Sequence, residues 1–171
     1  MKRILASFTA CFIFILTLYA QYDTSQFTGF WVLQSVKFKH PVDLNKDGYR
    51  SSDAFWEFDE CRKDQQLELM PDFNAKTYLG TGKNGCTNEV KQYKWNLKEE
   101  LVKEVKYEMG KRVVDERHPT VLKLNDANGG TDAKVYVVIG VDENILTLKG
   151  LVRIGNNSPE EAILIYRKRK K

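Results

Sequence analysis

Apolar and polar side chains alternate every second residue through most of this chain, and that period restricts the fold more than any other feature. Tyr93, Trp95 and Leu97 alternate with Gln92, Lys94, Asn96 and Lys98, and Val105, Tyr107 and Met109 alternate with Glu104, Lys106 and Glu108. Leu67 and Leu69 alternate with Gln66 and Glu68. A β-strand turns successive side chains to opposite faces, so each run reads as a strand with one buried and one solvated face. Val135, Val137, Ile139 and Val141 share one face of a later strand, and Leu146 and Leu148 continue the pattern. Val152 and Ile154 follow beyond Gly150, where a bulge or sharp bend is predicted. Ala162 to Tyr166 is apolar on both faces and predicts a central or covered strand. Helical periodicity is almost absent. The exception is residues 50–62, where Ser51, Ser52 and Asp53 predict the cap of a short helix through Ala54–Glu57.

Turn-forming clusters separate these runs: Asp43–Gly48, Met70–Asp72, Gly80–Gly85, Asn125–Gly130, Asp142–Asn144 and Gly155–Pro159. About eight to ten short strands with hairpin-length links mean a sandwich or a barrel, and up-and-down order is the simplest way to connect them.

The first twenty residues follow the plan of a secretory signal peptide, with Lys2 and Arg3 ahead of an apolar core and Ala20 at the predicted cleavage point. The core is shorter than the roughly 20 residues that cross a bilayer as a helix. The mature chain, residues 21–171, is therefore expected to be one extracytoplasmic domain, periplasmic or secreted, without a transmembrane segment. Cys11 lies inside the apolar core and Gln21 follows Ala20, which argues against a lipid anchor.

Export changes the reading of charge and of cysteine. The whole chain holds 27 Lys plus Arg against 23 Asp plus Glu, but two of those cations lie in the leader and five form the terminal run Arg167–Lys171. The body between is slightly acidic, and the run reads as a frayed, solvated end. A basic nucleic-acid-binding surface is excluded. Tyr93 and Trp95 sit among lysines but share the inward phase, which argues against a stacking platform for single strands. Cys61 and Cys86 remain after processing, and an even count in an exported chain reads as a disulfide. Closing that loop is worth roughly 3–4 kcal/mol through the unfolded state.

Gly29-Phe30-Trp31 opens the first mature strand; an Asp-rich loop, Cys61 with Arg62-Lys63-Asp64, a strand from Gln66 to Met70, Pro71 to Tyr78 and Cys86 follow in order. The G-x-W triplet is similar to the lipocalin N-terminal motif. The wider order resembles the exported lipocalin-like domains found in Bacteroidota. The resemblance implies a small up-and-down β-barrel, Trp31 packed across its closed end, and a disulfide across the first hairpin. It implies no particular ligand. The second and third lipocalin motifs have no counterpart here, and no C-terminal helix follows the last strand.

The sharpest chemical motif is Asp43-Leu44-Asn45-Lys46-Asp47-Gly48-Tyr49. Oxygen side chains at loop positions one, three and five, glycine at six and a backbone carbonyl at seven match the first half of a calcium loop. The second half departs from the template. Ala54 stands where a bidentate Glu belongs, Asp53 precedes it, and Glu57 and Asp59 lie further on. A calcium set of Asp43, Asn45, Asp47, Tyr49 and a closing Asp53 is the resulting expectation; the alternative is an Asx turn bonded to its own backbone. His40 and His118 each precede a proline and have no ligand at metal spacing. Glu99, Glu100, Glu104 and Glu108 read as a solvated face, and Gly80–Gly85 as a hairpin turn without Walker spacing. No catalytic constellation emerges. The expectation is a non-enzymatic barrel that takes a small apolar or amphiphilic ligand in its interior or mouth, with a structural or protein-interaction module of the cell envelope as the alternative.

Overall fold

The computed structural model describes residues 22–80, 85–153 and 159–170. The predicted signal peptide, the middle of the Gly80–Gly85 turn, Ile154 and most of the Gly155–Pro159 cluster lie outside the described residues. In chain order the strands are β1 (Gly29–Val42), β2 (Ser51–Asp53), β3 (Gln66–Leu69), β4 (Asn74–Leu79), β5 (Glu89–Glu99), β6 (Val102–Glu108), β7 (Lys111–Arg117), β8 (Thr120–Asp126), β9 (Lys134–Val141), β10 (Ile145–Val152) and β11 (Glu160–Lys168). Eight of them, β1, β3, β4, β5, β8, β9, β10 and β11, form an antiparallel sheet in that order, and β11 pairs back onto β1 to close it. The up-and-down barrel and its disulfide match the expectation. Closure removes the open sheet edges that would otherwise template aggregation.

The alternation decides the interior. Trp31, Leu33, Leu67, Leu69, Tyr93, Trp95, Leu122, Leu124, Leu146, Leu148, Leu164 and Tyr166 are all buried in one cluster. Each large side chain removed from water contributes roughly 1.5–3 kcal/mol. The phase of β1 shifts at a bulge between Leu33 and Ser35, which lets Val36 and Phe38 point inward beyond it. A second bulge, between Thr147 and Leu148 of β10, breaks the phase of β9. Val141 consequently packs against the core, while Val135 and Ile139 of the same apolar run face outward and are half exposed. Gly150 is not the bend expected from sequence. It lies within β10 because the Tyr136 ring of β9 occupies the space where a Cβ would project.

One end of the barrel is closed by a single helical turn, α1 (Thr24–Phe27), capped by the Asp23 carboxylate. It sets Phe27 into the core and brings its carbonyl to the Trp31 indole, which donates to it at 2.7 Å. At the other end, residues 43–65 fold over the strands. The helix expected at 54–57 is absent: Ser51–Asp53 instead form β2 on β1, and residues 54–57 make turns. The helical turn comes later, as α2 (Glu60–Lys63) capped by Asp59. Cys61 in α2 is disulfide-bonded to Cys86, so the bond spans the β3–β4 hairpin and ties this segment to the approach to β5. Gly80 donates its amide to the Cys61 carbonyl at 3.2 Å. Its φ of +66° and the Thr87 carbonyl, 2.7 Å from where a Cβ would sit, leave room only for glycine.

β6 and β7 pair only with each other, as a two-stranded ribbon between β5 and β8. Met109 and Gly110, both at positive φ, make its tight turn. Among the described residues no helix is long and apolar enough to cross a membrane.

Candidate functional site

The loop between β1 and β2 carries the most specific chemistry. Lys37 pairs with Asp53 and Val42 with Ser51, so residues 43–50 are held at both ends by the barrel wall. Inside the loop, Asn45 accepts from the Asp47 amide at 3.0 Å and donates through its own amide nitrogen to Asp47 at 2.9 Å. Asp47 also accepts from the Tyr49 amide at 2.8 Å, and Asp43 from the Gly48 amide at 3.2 Å. Lys46 and Gly48 take the positive φ that so tight a path requires.

Of the five ligands expected from sequence, the fold brings Asp43 and Asp47 together with a residue the template did not select. Carboxylate oxygens of Asp43, Asp47 and Glu57 all lie within 4.8 Å of one another. Glu57 reaches the loop from the turn after β2, where its amide donates to the Ala54 carbonyl at 3.1 Å. Ala54 is fully buried and donates to the Val36 carbonyl at 2.8 Å, and Phe55 and Phe58 pack against the core on either side of Glu57. Oδ1 of Asp43 and Oε2 of Glu57 are both closed off from solvent with no hydrogen-bond partner. None of the ion pairs among the described residues involves any of the three carboxylates.

Asp53, the closing ligand expected from sequence, is engaged elsewhere. One carboxylate oxygen accepts from the Ser35 hydroxyl at 2.6 Å; the other accepts from the amides of Val36 at 2.9 Å and Phe55 at 3.1 Å. It thereby serves one backbone amide beside the β1 bulge and one in the turn that follows β2. Asn45 is committed to Asp47, and Tyr49, expected to act through its backbone carbonyl, turns its ring into solvent at 78% exposure, which leaves that carbonyl's role open to test. Glu57 was legible only as an acid beyond the template, because its distance along the chain depends on how the 54–58 turn folds.

A second polar cluster lies where β5 meets the β8–β9 turn. Asp132 bridges Lys91 at 3.2 Å and the Tyr93 hydroxyl at 3.1 Å, and these residues line a cavity of about 460 Å³ with Asp126 and Asn128. The hydrogen bond from Lys91, then that from Tyr93, hold the Asp132 carboxyl below its usual range. Burial raises Tyr93 and lowers Lys134, whose ammonium sits 5.3 Å from the Tyr93 ring centroid. These groups satisfy one another and pin β5 to the β8–β9 turn.

A third concavity is on the outside of the barrel. A groove of about 690 Å³ runs between the base of the β6–β7 ribbon and the outer face of β9 and β10. Val102, Pro119, Val135, Val137, Ile139 and Leu151 make its apolar lining, and Lys103, Arg117, Lys149 and Glu161 stand among them. Lys103 pairs with Glu116 at 2.7 Å and Lys149 with Glu161 at 2.9 Å. The outward turn of Val135, Val137 and Ile139 creates this floor. Their even spacing was legible, but sequence could not say which face of the sheet they would occupy. Set beside known proteins, the chain has no match among family models, curated proteins or solved structures.

Proposed function

We propose that this chain is an exported, non-catalytic binding protein of lipocalin-like type, which takes a small apolar or amphiphilic ligand in the outer groove. The observation that carries the reading is the groove itself. Its volume falls in the range of small-molecule sites, and apolar walls with a few charged groups at the edge suit an amphiphile. The barrel interior suits a ligand less well, because Trp31, Leu33, Tyr93, Trp95, Leu122, Leu148 and Tyr166 fill it. The leader-like first twenty residues and the Cys61–Cys86 disulfide support export to an oxidising compartment.

The test uses an anilinonaphthalene sulfonate probe, an apolar body with one anionic group. It should bind the folded protein with enhanced fluorescence, and Ile139→Glu should weaken binding at least tenfold without lowering the melting temperature. Ile139 is half exposed, so the glutamate can reach water. Equal binding by the wild type and Ile139→Glu would defeat the reading. A second reading, a protein-interaction module, is favoured by the β6–β7 ribbon. Two-stranded ribbons are marginal alone, and here Tyr107 and Met109 are exposed at 75% and 103%. Under that reading, removal of the ribbon tip abolishes partner capture and leaves probe binding intact.

A further inference from the structure

We propose that Asp43, Asp47 and Glu57 form a calcium site, with Glu57 as the closing carboxylate, and that the ion fastens the 43–49 loop to the turn carrying Phe55 and Phe58. This goes beyond the groove reading and does not depend on it. Three features carry it. The three acids converge from two segments that β2 separates in sequence, and their nearest oxygens lie within 4.8 Å of one another. Two oxygens bound to one calcium at about 2.4 Å are at most about 4.8 Å apart, so each pair of these oxygens is close enough to share an ion, and a small inward adjustment lets one ion touch all three. The second feature is independent of the clustering. Glu57 is half-buried as a whole residue, but its carboxylate is covered at the cluster, and its Oε2, like Oδ1 of Asp43, is sealed from water without a hydrogen-bond partner. A buried carboxylate oxygen without a partner is costly, and a cation supplies the missing partner for both at once.

The third feature is the donor chemistry. The set is all oxygen, with no histidine or cysteine, which selects a hard cation over zinc or copper. Among hard cations, an irregular loop with carboxylates suits calcium, which accepts irregular coordination, better than magnesium, which demands a near-ideal octahedron. The other Asp43 oxygen accepts from the Gly48 amide and the two Asp47 oxygens from the Tyr49 amide and from Asn45, so the loop holds both aspartates in place before the ion arrives. Glu57 lies between Phe55 and Phe58, both packed on the core. Binding is thereby coupled to how firmly residues 43–58 hold to the barrel.

The experiment is a calcium titration of the full chain, read by melting temperature and by terbium luminescence sensitised through Trp56 and Tyr49, which neighbour the ligands in sequence. Calcium should raise the melting temperature of the wild type and displace terbium, with magnesium at least tenfold weaker. Glu57→Gln should weaken calcium binding at least tenfold while its fold in chelator matches the wild type. Asp53→Asn should melt lower with and without calcium yet keep the full calcium-induced rise. The proposal is overturned if calcium in the millimolar range neither raises the wild-type melting temperature nor displaces terbium. It is also overturned if Glu57→Gln binds as the wild type does, or if Asp53→Asn alone abolishes the rise.

Discussion

Lys168 and Trp31 meet where the barrel closes: they are register partners across β11 and β1, and the lysine ammonium lies 4.9 Å from the centroid of the indole ring. Trp31 is fully buried beneath it, and the Lys168 amide donates to the Asn144 carbonyl at 2.7 Å. The last strand is thus anchored to the first by backbone ladder, cation–π contact and apolar stem together.

Lys168→Met keeps the apolar stem and should cost about 1 kcal/mol, the worth of a partly exposed cation–π contact. Trp31→Ala should cost about 3–5 kcal/mol, because it leaves a cavity against Phe27 as well as losing the contact. Gly29→Ala should also destabilise. Its φ is +143° and the Lys168 stem fills the space a methyl would need. Urea unfolding followed by tryptophan fluorescence measures all three.

Reducing the Cys61–Cys86 bond, or replacing both residues by serine, should lower stability by roughly 3 kcal/mol through the less restricted unfolded chain. The urea midpoint should fall with little change in native circular dichroism, since β3, β4 and β5 keep their ladders without it. A matching midpoint in the serine variant would mean that α2 is held by its own contacts alone.

Asp53→Ala should cost about 2 kcal/mol, because it strips the Ser35 hydroxyl and the Val36 and Phe55 amides of a shared, charged acceptor. Amide exchange at Val36 and Phe55 should rise with it. Unchanged protection at those amides would remove Asp53 from its place at the bulge.

Stability should fall as pH rises above about 10. Burial raises Tyr136 and Tyr166, while burial and then the Glu68 hydrogen bond push Tyr78 up to about 12. A phenol with a raised folded value keeps its proton in the native state after the unfolded chain has lost it. Its stabilisation is present below the unfolded value and is lost as pH climbs toward the folded one. Lys134 acts in the opposite sense: burial depresses it, so the folded state sheds that proton first and gains stability as pH rises. One lysine opposes Tyr78, Tyr93, Tyr136 and Tyr166, so the net sign remains a loss. Phenolate absorbance should lag behind that of free tyrosine until the protein unfolds, and Tyr166→Phe should reduce the alkaline loss.

The strands and the disulfide were legible from local signals: period two in Tyr93-Trp95-Leu97, turn residues between runs, and an even pair of cysteines beyond a leader-like start. What sequence could not convey depends on phase. A bulge at Leu33–Ser35 exchanges faces within β1, and another beside Leu148 turns Val141 inward while Val135 and Ile139 look out. The acidic loop was legible in its first half, where Asp43, Asp47 and Gly48 are close in sequence. The third acid beside Asp43 and Asp47 was not, since Asp53 is drawn onto the barrel by the Ser35 hydroxyl and the Val36 amide, and Glu57 arrives through a turn that no periodicity marks.

The packed interior leaves the outer groove as the proposed binding surface. Methyl NMR during titration with the amphiphilic sulfonate probe tests it directly, because neighbouring residues on these strands face opposite ways. Shifts confined to Val135, Val137, Ile139 and Leu151 are the expected result. Shifts at Leu33, Leu122 and Leu148, with the outer methyls unmoved, would place the ligand inside the barrel and contradict the account.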